Sequence, residues 1–448
     1  MSALADNRQA VNLVVGLGHT GFSVARHLVT RGEPVAVVDS RPQPPLLARL
    51  QDELPQAVWL GAFPERLPEG VEQVIVSPGV AADTPLLMSA REAGVPIRGD
   101  VELFARLAQA PILAVTGSNG KSTVVSLLAH LLTAPDRSVV AGGNLGRPAL
   151  ELLDERADLY VLEVSSFQLE STRELNAAVG IVLNLSPDHL DRHGDMSAYA
   201  AAKARLVEQS RLAVLNRDDP RVAEMAPMAE RIIWFRAGEP AAGEFGLRER
   251  DGEIGFARGD QWLGSASLPS LPGGHNRLNV LAALAAIEGL GHSPEQVLPR
   301  LASFRGLPHR MAVVAERGGV RWINDSKATN LGATLAALDG LSEPVVLIAG
   351  GQGKGQDFTP LREGLAKGVR ALVLMGEASE ALARQAPAEL PVYRANDMSE
   401  AVTVAAGLAR SGDCVLLSPA CASFDQFDGF EARGRAFEMA VHALGGVS

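Results

Sequence analysis

The sequence predicts an α/β protein of three domains, on three observations. Short apolar runs recur at 11–16, 74–76, 112–116, 160–164, 181–185, 345–349, 371–375 and 414–417, each ending in a Gly-rich or polar turn and followed by a helical pattern. Strands alternating with helices at this spacing form βαβ units and parallel sheets. The 448 residues are 47% hydrophobic and 21% charged, enough for two or three separate cores. Gly is abundant and aromatics make up only 4%, a balance suited to tight strand–turn–helix units whose loops approach ligands closely. Ligands of such sheets bind beyond the strand ends, so the informative residues should follow the strands directly.

Two breaks divide the chain into 1–99, 100–306 and 307–448. The stretch 94–97 closes one unit before a helix from Asp100 leads to the strand at Ile112, and Arg305-Gly306-Leu307-Pro308 punctuates the chain before a new run at Met311. Between the breaks, 244–272 reads as an antiparallel flap with turns at Asp251-Gly252 and Gly259-Asp260.

A net charge of −11 argues against nucleic-acid binding, which needs clustered Lys and Arg. The most apolar stretches, 279–287 and 345–349, are too short to span a membrane and read as a core helix and a buried strand. Residues 1–10 carry Asp6 and Arg8 without a signal-peptide core. Cys414 and Cys421 are the only cysteines, too few for a disulfide framework or a metal-ligand spacing. A cytoplasmic protein with small-molecule partners, and a monomer, is expected.

The run from Thr116 through Gly117-Ser118-Asn119-Gly120-Lys121-Ser122-Thr123 follows a strand and opens an amphipathic helix through Leu132. Such a turn lets backbone N–H groups converge on phosphate oxygens at a helix N-terminus, with Lys121 supplying charge and Ser122 or Thr123 meeting Mg²⁺. Glu163, ending the next strong strand, stands where a second Mg²⁺ ligand belongs. Asp188 and His189 follow the strand at 181–185, placed to hold a metal or touch substrate.

Gly16-Leu17-Gly18-His19-Thr20-Gly21 matches the dinucleotide turn, with Asp39 ending the next strand. Alone it proposes an NAD-dependent dehydrogenase, but a phosphate loop at Lys121 makes hydride transfer awkward, and the turn serves any nucleotide diphosphate. Ser77-Pro78-Gly79 would line the same crevice. In the last region the loops 324–330, 350–354 and 418–425 gather lysines and hydroxyls at strand ends, which suits a carboxylate or phosphate ligand.

Over essentially the whole chain these residues resemble the Mur ligase family. The resemblance rests on the short phosphate loop at 116–122, Gly143-Asn144-Leu145-Gly146, and His275-Asn276-Arg277-Leu278-Asn279, in the family's order. Asp325-Ser326-Lys327-Ala328-Thr329-Asn330, followed by the run 417–427, looks like the branch that adds D-glutamate and unlike those adding L-alanine or a diamino acid. The resemblance implies Rossmann-like first and last domains flanking a central P-loop ATPase domain.

It also implies the ligands: UDP-N-acetylmuramoyl-L-alanine, ATP with Mg²⁺, and D-glutamate. Gly18, His19, Thr20, Asp39, Ser40, Arg41, Ser77, Pro78 and Gly79 would hold the UDP moiety, and Asn144 and His189 the muramoyl part or its metal. Asn276, Asn279, Arg310 and Asp325 would join the phosphate loop around ATP, while Lys327, Thr329, Lys354, Ser423 and Phe430 would form the D-glutamate pocket. Lys203 reads from composition as a surface lysine on an Ala-rich helix, whereas the resemblance implies a CO₂-carbamylated lysine helping Ser122, Glu163 and His189 hold Mg²⁺. Departures from the family pattern are His19, where an apolar residue is expected, and Gln352, where an acid is common. The implied route activates the alanyl carboxylate as an acyl phosphate, which the D-glutamate amine then displaces. A nucleotide switch and a folate polyglutamylating ligase are the other rivals.

Overall fold

The run Val11–Val15 (β1) sends Leu13 and Val15 into one apolar cluster and Val14 into another, the two-residue alternation of a strand covered on both faces. With Val35–Val38 (β2), Val58–Gly61 (β3), Val71–Val76 (β4) and Ile97–Arg98 (β5) it forms a wholly parallel sheet of order β3-β2-β1-β4-β5. The order reverses between β1 and β4, which opens a crevice beyond their C-terminal ends. The computed structural model describes residues 11–144, 146–154, 156–268, 271 and 273–444. Residues 1–10, Leu145 and positions 269, 270 and 272 of the expected flap lie outside the described residues.

The central sheet contains Ile112–Thr116 (β6), Val139–Gly143 (β7), Leu159–Glu163 (β8), Val179–Val182 (β9), Ala213–Asn216 (β10), Ile232–Phe235 (β11), Phe245–Arg250 (β12), Glu253–Arg258 (β13) and Gln261–Ser265 (β14). Its order is β14-β13-β12-β11-β10-β9-β6-β8-β7. The expected flap is therefore corrected. Its turns at Asp251-Gly252 and Gly259-Asp260 form as read, but β12 pairs with β11 through Phe235 and Phe245, so the hairpins extend the main sheet. Phe245 and Phe256 are fully buried beside Leu281 and Ala282, and this burial, invisible in the local alternation, draws the hairpins in.

Helix Lys121–Leu132 is likewise not amphipathic. Ser122, Thr123, Val124, Val125, Leu127, Leu128, Leu131 and Leu132 are all buried, because the helix lies between the sheet and the core helix Gly274–Gly289. Each of its leucines contributes about 2 kcal/mol by leaving water.

The third sheet comprises Ala312–Arg317 (β15), Val320–Asn324 (β16), Val345–Gly350 (β17), Val369–Met375 (β18), Val392–Arg394 (β19) and Cys414–Leu417 (β20), in the order β15-β16-β20-β17-β18-β19. All neighbours are parallel except β15 and β16. Every residue of β17 is buried, Leu347 in one cluster and Ile348 in the other, so the strand reads as one apolar run. The first two sheets share an apolar cluster in which Val14, Leu17 and Phe22 meet Phe104, Tyr160 and Leu169. Among the described residues no helix is long and apolar enough to cross a membrane.

Candidate active site

Beyond β1 and β4 lies a cavity of about 610 Å³ lined by Gly18, His19, Thr20, Asp39, Ser40, Arg41, Ser77, Pro78, Gly79 and Asn144. These are all the residues expected around the UDP moiety and its sugar except His189. The turn is held by Ser77 Oγ, which donates to Gly16 O at 2.9 Å. Gly16 has φ +96°, and a Cβ at Gly21 would drive into the Gly16 carbonyl oxygen, so neither position admits a side chain.

Asp39 is saturated: it accepts from Leu17 N at 2.7 Å, from Arg41 N at 2.9 Å and from the Arg41 guanidinium at 2.8 and 2.9 Å. Burial pushes this carboxyl up, but the Arg41 and Leu17 hydrogen bonds outweigh it and hold it at about 2. Its oxygens are thus taken up where a dinucleotide's ribose would need an acceptor.

The phosphate loop follows β6. Gly120, at φ +86°, caps helix Lys121–Leu132 in the left-handed region, and Lys121 Nζ donates to the carbonyls of Gly117 and Ser118 at 2.9 and 2.8 Å. Burial lowers the Lys121 pKa, against the opposing charges of Glu163 and Asp188. Ser118 Oγ lies 3.1 Å from Tyr199 Oη, while Asn119 N donates to Asn184 Oδ1 at 2.8 Å. Neither Tyr199 nor Asn184 was singled out by the sequence, although Asn184 stands just past a strand end.

Glu163 ends β8 beside this loop. Burial raises its pKa, but the charge of Lys121, the neighbouring Ser122 hydroxyl and Asn144 amide, and the charge of Arg310 together hold it low. Oε1 accepts from Asn144 Nδ2 at 2.8 Å, whereas Oε2 is buried with no hydrogen-bond partner. An ionised oxygen without a partner suits a cation. Among the described residues no group of three or more His, Cys, Asp or Glu is arranged to hold a metal. The donor set fits Mg²⁺, which keeps waters and phosphate oxygens and needs only one or two carboxylates.

Lys203 corrects the composition reading: it is 1% exposed on helix Met196–Glu208. Its Nζ donates to Thr116 Oγ1 at 3.2 Å and Gly117 O at 2.9 Å and lies 4.7 Å from the Tyr199 ring centre. Burial and the charge of Lys121 lower its pKa strongly. His189, in the left-handed region at φ +54°, lies 3.7 Å from Asp188 and meets the Phe167 ring edge-on.

The third sheet reaches the phosphate loop directly. Arg310 Nη2 donates to Ser122 Oγ at 2.8 Å, and Asn330 Nδ2 donates to Asn119 Oδ1 at 3.2 Å while its own Oδ1 caps helix Leu331–Asp339. Together these elements enclose a cavity of about 360 Å³ lined by Asn119, Gly120, Thr123, Asn276, Asn279, Arg310, Asp325 and Lys327, which unites the phosphate loop with residues expected around ATP. Burial raises Asp325 to about 7 despite hydrogen bonds from Ser418 and Met311 N and the charge of Arg310.

Of the residues expected around D-glutamate, Lys327 Nζ sits 3.5 Å from the Phe430 ring centre, and burial followed by the Arg310 charge lowers it to about 8. Ser423 is buried and Thr329 half-buried. Lys354 is exposed at φ +50°; burial lowers the His189 pKa against the Asp188 charge, and the Lys354 charge adds to the lowering. Sequence reasoning missed Arg433. Buried beneath these loops, it donates to Ser326 Oγ and O, Gly350 O, Cys421 O and Ala422 O, joining the ends of β16, β17 and β20.

Residues 10–99 match the Mur ligase MurD-like N-terminal domain, 115–287 the Mur ligase middle domain and 309–421 the Mur ligase glutamate ligase domain. A protein of Nitrosococcus oceani named UDP-N-acetylmuramoylalanine--D-glutamate ligase is 51% identical, with 97% of each chain covered. One of Marinobacter nauticus with the same name is 46% identical over 99% of this chain and 100% of its own. Among solved structures, the UDP-N-acetylmuramate-alanine ligase MurC of Thermotoga maritima superposes with a TM-score of 0.63 at 20% identity, covering 97% of this chain and 99% of that one. MurF ligase of the same organism, in complex with ADP, also gives 0.63 at 20% identity, over 92% and 96%. These two share the fold. With the family's three domain types in order and such close relatives along nearly its entire length, the chain belongs to the Mur ligase family.

Proposed function

We propose that the protein is a ligase that joins D-glutamate to UDP-N-acetylmuramoyl-L-alanine at the expense of ATP, in the synthesis of peptidoglycan precursors. The observation that carries this reading is the Asn144–Glu163 hydrogen bond at 2.8 Å. Asn144 lines the cavity beyond the first sheet, and Glu163 stands beside Lys121 and Ser122. A substrate anchored by its nucleotide in that cavity would thus present its far end to the phosphate loop.

Residues 1–99 would bind the UDP moiety, 100–306 ATP and 307–448 D-glutamate, with the whole acting as a cytoplasmic monomer. Lys121 and Arg310 face the phosphates and offset charge as the alanyl carboxylate attacks the γ-phosphorus and ADP leaves. Magnesium, held by Ser122, Glu163 and His189, would supply further neutralisation. Asn276 and Asn279 hold the nucleotide, and Asn144 and His189 orient the carboxylate. Lys327, Thr329, Lys354, Ser423 and Phe430 then present the D-glutamate amine to the acyl phosphate, and phosphate leaves. The third domain, docked through Arg310 and Asn330, keeps water from the intermediate.

We further propose that Lys203 reacts with CO₂, losing a proton to give a carbamate that completes the anionic set. The reaction requires a neutral amine, which burial at Lys203 favours. Phosphate release with UDP-N-acetylmuramoyl-L-alanine, measured with and without D-glutamate, tests the main reading. Stoichiometric release coupled to amide formation is expected only with both; release indifferent to D-glutamate overturns it.

A further inference from the structure

Three residues of one short turn converge on a single ring. His189 meets Phe167 edge-on at 5.1 Å, His193 stacks on it at 5.0 Å with 3° between planes, and the Arg192 guanidinium carbon lies 4.7 Å from its centre. The turn is pinned further by His193, whose Nε2 is 2.9 Å from Ser166 Oγ and whose Nδ1 is 3.2 Å from Glu170. Ser166, Phe167 and Glu170 belong to one short helix, Ser166–Glu170, fixed by a Ser165–Gln168 capping box.

Arg192 does one thing more. Its Nη1 donates to Gly79 O at 3.0 Å and its Nη2 to Val80 O at 3.2 Å. Gly79 and Val80 line the nucleotide cavity of the first domain, so one planar guanidinium spans from that wall to the turn carrying His189. A lysine could not make both hydrogen bonds and also cover the ring.

We propose that Arg192 is a positioning residue that ties the nucleotide cavity to His189, so that occupancy by a uridine diphosphate fixes the turn addressing the reacting end of the substrate. The proposal rests on the ligase reading given above. A bound diphosphate settles the 77–80 loop, the two carbonyls hold Arg192, and Arg192 with Phe167 holds the backbone of His189 in its left-handed conformation.

The test uses the full-length protein and UDP alone as probe. UDP should slow amide hydrogen exchange in residues 188–194 of the wild type, and Arg192→Ala should bind UDP yet lose that protection. In turnover, Arg192→Ala should lower kcat for UDP-N-acetylmuramoyl-L-alanine roughly tenfold with the ATP KM unchanged. Arg192→Lys should recover little, and added guanidinium should restore part of the alanine variant's rate. The deficit should shrink for N-acetylmuramoyl-L-alanine, which lacks the nucleotide. A wild type that binds UDP without protecting 188–194, or an equal loss on both substrates, overturns the coupling. A wild type that neither binds UDP nor forms the amide refutes the ligase reading instead.

Discussion

Arg310 and Ser122 are joined across two sheets: a guanidinium presented ahead of β15 donates to the hydroxyl that opens the phosphate-loop helix, at 2.8 Å. Burial lowers the Arg310 pKa while the charges of Glu163 and Asp325 raise it. The third domain therefore brings its own cation to the place where phosphoryl charge would develop.

Replacing Arg310 with Ala should lower kcat for phosphate release by on the order of a hundredfold, the usual cost of removing a donor aimed at transition-state charge. Arg310→Lys should recover part of it, because it keeps charge but not the planar fork. A near-normal kcat in the alanine variant would detach Arg310 from the phosphoryl group.

Lys203→Ala should abolish most activity, and formate or acetate should restore a fraction by occupying the vacated anion position. A readout independent of turnover is the carbon-13 carbamate resonance after exposure to labelled CO₂. It should appear in the wild type and be absent from the variant; its absence from both rules out the modification.

Asp325 gives a pH dependence of defined sign. Its folded pKa is about 7 against an ordinary 3.8, so the stability gained by keeping the proton is full below about pH 4 and lost as pH rises through 7. Asp325→Asn keeps the shape without the titration. Its melting temperature should match the wild type at the acid end and exceed it at pH 8, by a stabilisation on the order of 4 kcal/mol. Parallel melting curves across this range would show that Asp325 titrates elsewhere.

Arg433 makes five hydrogen bonds to oxygens of three loops, and burial lowers it to about 10. Arg433→Lys leaves buried carbonyls unpaired and should cost about 2–4 kcal/mol. The KM for D-glutamate should rise more than that for ATP, since the loops at Ser326, Gly350 and Cys421 surround the expected amino-acid pocket. Equal changes in both would make Arg433 a scaffold residue only.

What was legible in the sequence was whatever a local pattern carries. The turns after β1 and β6 and the end of β8 each join a strand's apolar run to residues whose chemistry is apparent alone: Gly18 lines a cavity, and Lys121 and Glu163 stand together at the phosphate loop. Lys203 was illegible from its helix because its amine is taken up by Thr116 and Gly117, which approach from another element, while Tyr199 covers it from one turn earlier on the same helix. Arg433 and Arg192 go unread because most of their hydrogen bonds reach main-chain carbonyls of other elements, which leave no residue-type signal. The β12–β14 hairpins follow from their turns and alternation, but their junction with the main sheet does not, since a single Phe235–Phe245 pair makes it.

The peptide groups of Gly16 line the nucleotide cavity at a position where no side chain fits, and Gly21 backs them with no room for a Cβ beside the Gly16 carbonyl. An inhibitor anchored on those peptide groups would meet a surface that point substitution at either position cannot redraw without collapsing the turn. Resistance would have to arise at neighbours such as His19, whose side chain lines the cavity and can change while the backbone stays. Compounds leaning on the turn and sparing His19 would leave the fewest routes of escape.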